Sequence, residues 1–224
     1  MRRDRFPALK GGLYQSLVSA NQLEETLGYG RLLFFPGMLF ESRQKWWGRG
    51  GMRDQSHEGV DICFFADACG SRFRLDETTR VPAAFDGQVV RIIPDFLGST
   101  VILAHQTDDL EQSFFVLYAH LRPDPGLYKG RHLSGGQTFA AIAPPRANKV
   151  LPPHLHLSMM DARGIPPLES LDWHLLNGLD RNRFMDPLEM IDGNWQMMDF
   201  TPGMNLYEAF APSGARTGDI PSDA

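Results

Sequence analysis

From Val60 to Met160 the sequence repeats one pattern: a short, apolar, β-rich run, then glycine, proline or aspartate, then another run. The runs are Val60–Phe65, Gly87–Ile93, Thr100–Ala104, Phe114–Tyr118, Thr138–Ile142 and Leu155–Met159. The intervals between them are too short for repeated helical crossovers, so parallel pairing is disfavoured and antiparallel pairing is expected. The expected fold is therefore mainly β, an antiparallel β-sandwich or open barrel, and no internal sequence repeat accompanies it.

The flanks read differently. Leu13, Tyr14, Leu17, Val18 and Leu23 fall at helical spacing and Gly28 and Gly30 follow as stop signals, predicting a short amphipathic helix over 13–27. Arg31 to Phe40 is β-like and broken by Pro36-Gly37, and the Arg- and Trp-rich stretch from Ser42 to Gln55 suits a loop approaching a site. Leu168–Asn177 and Pro187–Ile191 suit brief helical turns, and Pro212–Ala224 has the composition of a disordered tail. These changes divide the chain into an N-terminal extension (1–46), a β domain (47–192) and a C-terminal tail (193–224).

A length of 224 residues fits one domain with extensions, and a net charge of −5 provides no basic field for a phosphate backbone, which argues against nucleic acid as the partner. No apolar run reaches the roughly 18 residues of a membrane span. Met1, Arg2, Arg3 and Arg5 imitate the start of a signal peptide, but Lys10, Gln15, Ser16, Asn21 and Gln22 interrupt any apolar region after them, so no cleavable signal is expected. Cys63 and Cys69 are the only cysteines; their spacing is compatible with a small disulfide loop and equally with two thiols.

Three short segments hold residues suited to a metal site. In His57-Glu58-Gly59-Val60-Asp61, Gly59 lets the backbone turn so that an imidazole and a carboxylate can converge on one ion. In Pro153-His154-Leu155-His156-Leu157, strand periodicity of two sends both histidines to one face and both leucines to the other. A solvated surface pair is the plain alternative for such a motif, although the opposing leucines favour ordered burial. The run Phe114–Leu121 is an apolar strand carrying His120 near its end, where a lone histidine is often an ordinary surface residue. Two histidines with one carboxylate would leave the fourth tetrahedral position of zinc open, which suits catalysis, whereas two cysteines cannot build a thiolate-rich structural site. Imidazole also favours zinc over magnesium.

In their order, these segments together with Val81-Pro82-Ala83-Ala84 and Asp86-Gly87, Gly98–Val101 running to His105, Tyr118–Leu121 and Gly135-Gly136-Gln137 make the chain resemble the lysostaphin-type, or LytM-domain, zinc peptidases, from about Trp47 to Ile191. The resemblance implies a LytM-like antiparallel β domain with a substrate groove and an endopeptidase that hydrolyses peptide cross-links of bacterial peptidoglycan. It implies one zinc ion held by His57, Asp61 and His156, with His154 and His120 as unligated catalytic histidines and His105 as structural. His154 is expected to be the more intimate partner, being tethered to His156 on one strand face. The implied location is the cell envelope or outside the cell, while the missing signal segment leaves a cytoplasmic one open. The alternative is a catalytically silent LytM-like domain that binds peptidoglycan or regulates a cell-wall amidase; such domains typically lack a ligand, and here none is missing.

Some segments depart from the family pattern. Residues 67–79 look like an extra loop carrying Cys69, able to reshape one groove wall. Ala143–Lys149 stands where a glycine-rich segment is usual and predicts a stiffer, more basic wall. No tyrosine stands just ahead of His57, and Arg49 or Arg53 is the candidate substitute for steadying an oxyanion. Glu58 is expected to be a solvent-facing turn residue, because it lacks the helical HExxH setting of a glutamate base. The N-terminal helix either packs on the back of the domain or blocks the groove as a prodomain would.

Overall fold

A computed structural model of the chain describes residues 12–106, 113–145, 151–190 and 194–214. Two short helices open it, α1 (Leu13–Ala20) and α2 (Leu23–Leu27), followed by β1 (Tyr29–Phe34). Then come β2 (Gly59–Ile62), β3 (Phe64–Asp67), β4 (Arg72–Arg74), β5 (Arg80–Pro82), β6 (Gly87–Pro94), β7 (Ser99–Gln106), β8 (Ser113–Pro123), β9 (His132–Leu133), β10 (Thr138–Ile142) and β11 (Leu155–Asp161). Helix α3 (Trp173–Gly178), β12 (Phe184–Met185), β13 (Trp195–Met197), α4 (Leu206–Ala209) and β14 (Ala211–Pro212) complete it, with 3-10 turns at Pro36–Met38, Leu168–Ser170, Arg181–Arg183 and Pro187–Met190.

The fold is mainly β. One sheet runs β12-β11-β8-β7-β6-β9, with β2 against β11 and with β10 joining β8 to β5; its pairings are antiparallel and it does not close into a barrel. A second sheet, β13-β1-β3-β4-β14, draws on both ends of the chain and contains two parallel pairs, β1 with β13 and β4 with β14. The chain passes from one sheet to the other at buried Cys63, so Val60–Phe65 is two strands rather than the single run its composition suggests.

Alternation along the central strands builds two cores. Val116 and Tyr118 of β8 and Val101 and Leu103 of β7 face the large core, whereas Leu117 and Ile102 face a smaller one closed by Leu171, Leu176 and Phe184. Strand β11 follows the same rule: Leu155, Leu157 and Met159 join the large core, which sends His154, His156 and Ser158 to the opposite face.

Two local expectations are corrected. The helix expected over 13–27 breaks at Asn21-Gln22, where Gln22 takes a left-handed φ of 51°. The cause is distant in sequence, because Asn21 acts as a strand partner for β5, accepting from the Arg80 N–H at 2.6 Å and donating to the Arg80 carbonyl at 2.9 Å. Residues 67–79 are not an extra loop: Asp67 closes a tight turn by accepting from the Cys69 and Ser71 N–H groups, and the chain returns as β4 beside β3. Cys63 and Cys69 are free thiols, one buried and one exposed. Arg146–Lys149 of the expected basic wall, Ile191 and the tail from Ala215 onward lie outside the described residues.

Candidate metal centre

The register of the large sheet decides which side chains meet. Asp61 of β2 stands directly opposite His156 of β11, and His156 in turn stands opposite Ala119 of β8, next to His120. Gly59 is required for this approach: a Cβ there would lie 2.2 Å from the Leu157 carbonyl oxygen and 2.6 Å from Ser158 Oγ. Its contribution is therefore close strand contact rather than the turn expected of it. His57 precedes β2 and is fixed through its backbone, donating to the Ser42 carbonyl at 2.9 Å and accepting from the Glu41 N–H at 2.8 Å.

His57, Asp61 and His156 converge with all three side chains buried. His156 Nδ1 lies 2.9 Å from Asp61 Oδ1 and 3.1 Å from His57 Nε2, and His57 Nε2 lies 3.3 Å from Asp61 Oδ1. Zinc with bonds of about 2.0–2.1 Å in a tetrahedron separates its ligand atoms by about 3.3 Å, so these spacings are of the right size. Every outward-facing atom of the three side chains is engaged. His57 Nδ1 donates to the Leu39 carbonyl at 3.1 Å, and His156 Nε2 meets Ser158 Oγ at 2.9 Å and Glu58 Oε1 at 3.3 Å. Asp61 Oδ2 accepts from the Trp46 indole at 2.6 Å and lies 3.4 Å from the Arg53 guanidinium. With the tautomers assigned from these partners, three acceptor atoms face one point, an arrangement stable only around a proton or a metal cation.

The electrostatics agree. Burial opposes a charge on His156, yet its hydrogen bonds to Asp61 and Glu58 outweigh burial and hold its pKa up at about 10. Burial likewise pushes the Asp61 and Glu58 carboxyls up, but the surrounding imidazoles win: Asp61 is held well below the ordinary carboxylate range and Glu58 falls to about 2. Glu58 is thus not the solvent-facing turn residue expected. Its side chain is only 14% exposed, lies against His156 at 3.3 Å and also faces Arg181 at 3.7 Å.

The other two candidate histidines lie beside this cluster. His154 Nδ1 donates to the Pro152 carbonyl at 2.9 Å, which turns its Nε2 inward, 3.8 Å from Asp61 Oδ1. Burial lowers its pKa to about 3, so the ring is neutral. The His120 ring centre is 4.8 Å from that of His154 and 5.7 Å from that of His156. His105 is elsewhere, bonded to the Asp86 carbonyl at 2.8 Å and stacked on Phe114, consistent with its expected structural part. All five clustered residues border an open cavity of about 430 Å³ whose apolar walls include Trp47, Phe96 and Trp173.

Sequence reasoning missed several of these neighbours. Arg53 does reach the cluster, but its guanidinium is also bound to the Gly37 and Gln44 carbonyls, both at 2.6 Å, while Arg49 is exposed and not part of the cavity wall. Trp46 belonged to a segment expected to approach a site, but nothing local distinguished it from Trp47. Asp95, buried against His120, sits in the β6–β7 hairpin, and its signal was an ordinary aspartate–glycine turn.

The family model for Peptidase family M23 matches residues 66–166, a span that holds His120, His154 and His156 and begins beyond His57 and Asp61. No curated protein sequence matches the chain. Among solved structures, the chain is similar to the catalytic domain of the antimicrobial peptidase lysostaphin from Staphylococcus simulans, with 18% identity, 78% of this chain and 98% of that chain covered, and a TM-score of 0.38. It is also similar to a mutant catalytic domain of the prophage-encoded M23 protein EnpA from Enterococcus faecalis, with 16% identity, coverage of 64% and 84%, and a TM-score of 0.35. The motif order read from the sequence and the match to Peptidase family M23 agree over the central strands, residues 66–166, just under half of the chain.

Proposed function

We propose that this protein is a zinc-dependent endopeptidase that hydrolyses peptide cross-links of bacterial peptidoglycan, with zinc held by His57, Asp61 and His156 and with His154 and His120 as the unligated catalytic histidines. The observation that carries the proposal is the convergence of three buried acceptor atoms, each with its outward side engaged, beside two further imidazoles in one open cavity. A purely structural zinc site would close with a fourth protein ligand. Zinc bound there supplies Lewis acidity toward the scissile carbonyl and lowers the pKa of water toward ~7.

The chain's own residues supply the rest. Trp46 and Arg53 fix the rotation of the Asp61 carboxylate, and Glu58 and Ser158 fix that of the His156 ring. The Trp47, Phe96 and Trp173 walls exclude water from one side of a bound peptide and so strengthen the polar contacts inside. A C–O bond forms between water and the carbonyl carbon and the peptide C–N bond breaks. One of the two unligated imidazoles takes the proton from the water and passes it to the leaving nitrogen. A peptidoglycan substrate places the work in the cell envelope or outside the cell. Among the described residues, no helix is long and apolar enough to cross a membrane.

Incubating the zinc-loaded protein with purified sacculi and identifying the soluble muropeptides by mass tests the proposal. Products separated at a peptide cross-link are expected. Sacculus binding without release of any muropeptide would instead indicate a silent binding domain.

A further inference from the structure

His120 occupies an irregular position in an otherwise regular strand. Between the pairs Ser99–Leu121 and Val101–Tyr118, two residues of β8, Ala119 and His120, face the single residue Thr100 of β7. This is a β-bulge, and His120 takes a left-handed φ of 64° within it. A non-glycine residue in that region costs on the order of 1–3 kcal/mol and persists only where its surroundings hold it.

The holding group is Asp95, whose side chain is 1% exposed. Its Oδ2 accepts from the His120 backbone N–H at 2.9 Å, the N–H that the bulge removes from the ladder, and its Oδ1 meets His120 Nδ1 at 3.2 Å. One carboxylate therefore fixes both the backbone and the ring of one residue. The carboxylate is itself fixed: the Leu97 and Gly98 N–H groups donate to Oδ1 at 2.8 and 2.7 Å, and the Thr100 hydroxyl donates to Oδ2 at 2.9 Å. Thr100 Oγ1 in turn accepts from the indole N–H of Trp173 at 2.8 Å, which ties the cavity wall to Asp95. Gly98 makes the arrangement sterically possible, since a Cβ there would lie 2.6 Å from the Leu121 carbonyl oxygen and hold the hairpin away from β8.

We propose that Asp95 is the positioning residue for His120, holding it as the Nδ1–H tautomer so that Nε2 faces the cavity as the acceptor of the water proton. Resting on the peptidase function proposed above, this assigns the proton transfer to His120, whose imidazolium the Asp95 carboxylate would stabilise until the proton reaches the leaving nitrogen. The hydrogen bonds to Asp95 outweigh its burial and keep its carboxyl below the ordinary range, so the ionised form is the one present. An aspartate that merely shapes the hairpin turn would need only the Leu97 and Gly98 contacts.

The test combines a long-range ¹⁵N spectrum of the zinc-loaded full chain, with His120 assigned through a His120→Gln variant, and steady-state kinetics on a cross-linked peptide. The wild-type spectrum is expected to show His120 protonated at Nδ1 and bare at Nε2. Asp95→Asn, which replaces one acceptor oxygen by a donor, is expected to shift His120 toward the Nε2–H tautomer. It should also lower kcat by about 100- to 10,000-fold while KM and zinc stoichiometry stay within about threefold. An Nε2–H tautomer in the wild type overturns the proposal, whether or not the variant folds. So does a folded variant with unchanged tautomer and kcat. A protein with the expected tautomer response that cleaves no peptide would retain the positioning claim and refute the peptidase function.

Discussion

At the scale of single residues, the metal centre depends as much on outward contacts as on the three inward-facing atoms. Trp46 makes this testable. Its indole donates to Asp61 Oδ2 at 2.6 Å and its ring is fully buried, so Trp46→Phe keeps most of the packing while removing the donor. The variant should bind zinc about 10- to 100-fold more weakly, read by competition with a chelator, because contacts behind metal ligands typically contribute that much to affinity. Unchanged affinity would mean that the Arg53 guanidinium alone orients the carboxylate. His57, Asp61, His120, His154 and His156 were legible as candidates because each belongs to a short pattern with its own geometric logic. Trp46, Asp95 and the inward position of Glu58 against His156 were not, since their relation to the cluster exists only after residues far apart in the sequence pair.

Among elements, the contact between β2 and β11 brings the ligands together, and Gly59 permits it. A methyl group at that position would overlap the Leu157 carbonyl, and backbone in a central strand cannot yield as a flexible side chain can. Gly59→Ala should destabilise the fold by about 3 kcal/mol, the upper range for overpacking, measured by urea unfolding of the zinc-free protein. A loss below about 1 kcal/mol would show that β2 can shift. The strands themselves were readable from alternation, as β11 illustrates with leucines on one face and histidines on the other. The break after α1 and the return of the chain as β4 were not readable. Asn21 answers to Arg80, 59 positions away, and β4 is stabilised by β3 on one side and β14 on the other.

On the scale of the whole molecule, both ends of the chain serve one sheet. Strand β13 forms one edge beside β1, which pairs with β3, and β14 closes the other edge beside β4. Leu13, Leu17 and Val18 of α1 and Leu23 and Leu27 of α2 are buried in the large core, and no described residue of either helix borders the cavity, which favours packing over blockage of the groove. A boundary at residue 46 would cut between hydrogen-bonded strands of this sheet, because β1 pairs with β3. The central claim nevertheless concerns three side chains. Elemental analysis of the purified protein after zinc loading and dialysis tests it most directly, comparing wild type with the Asp61→Ala, His156→Ala and His154→Ala variants. One zinc per chain in the wild type and in His154→Ala, with loss of zinc from Asp61→Ala and His156→Ala, is the predicted result. Equal retention in all four proteins, or no zinc in the wild type, would contradict it.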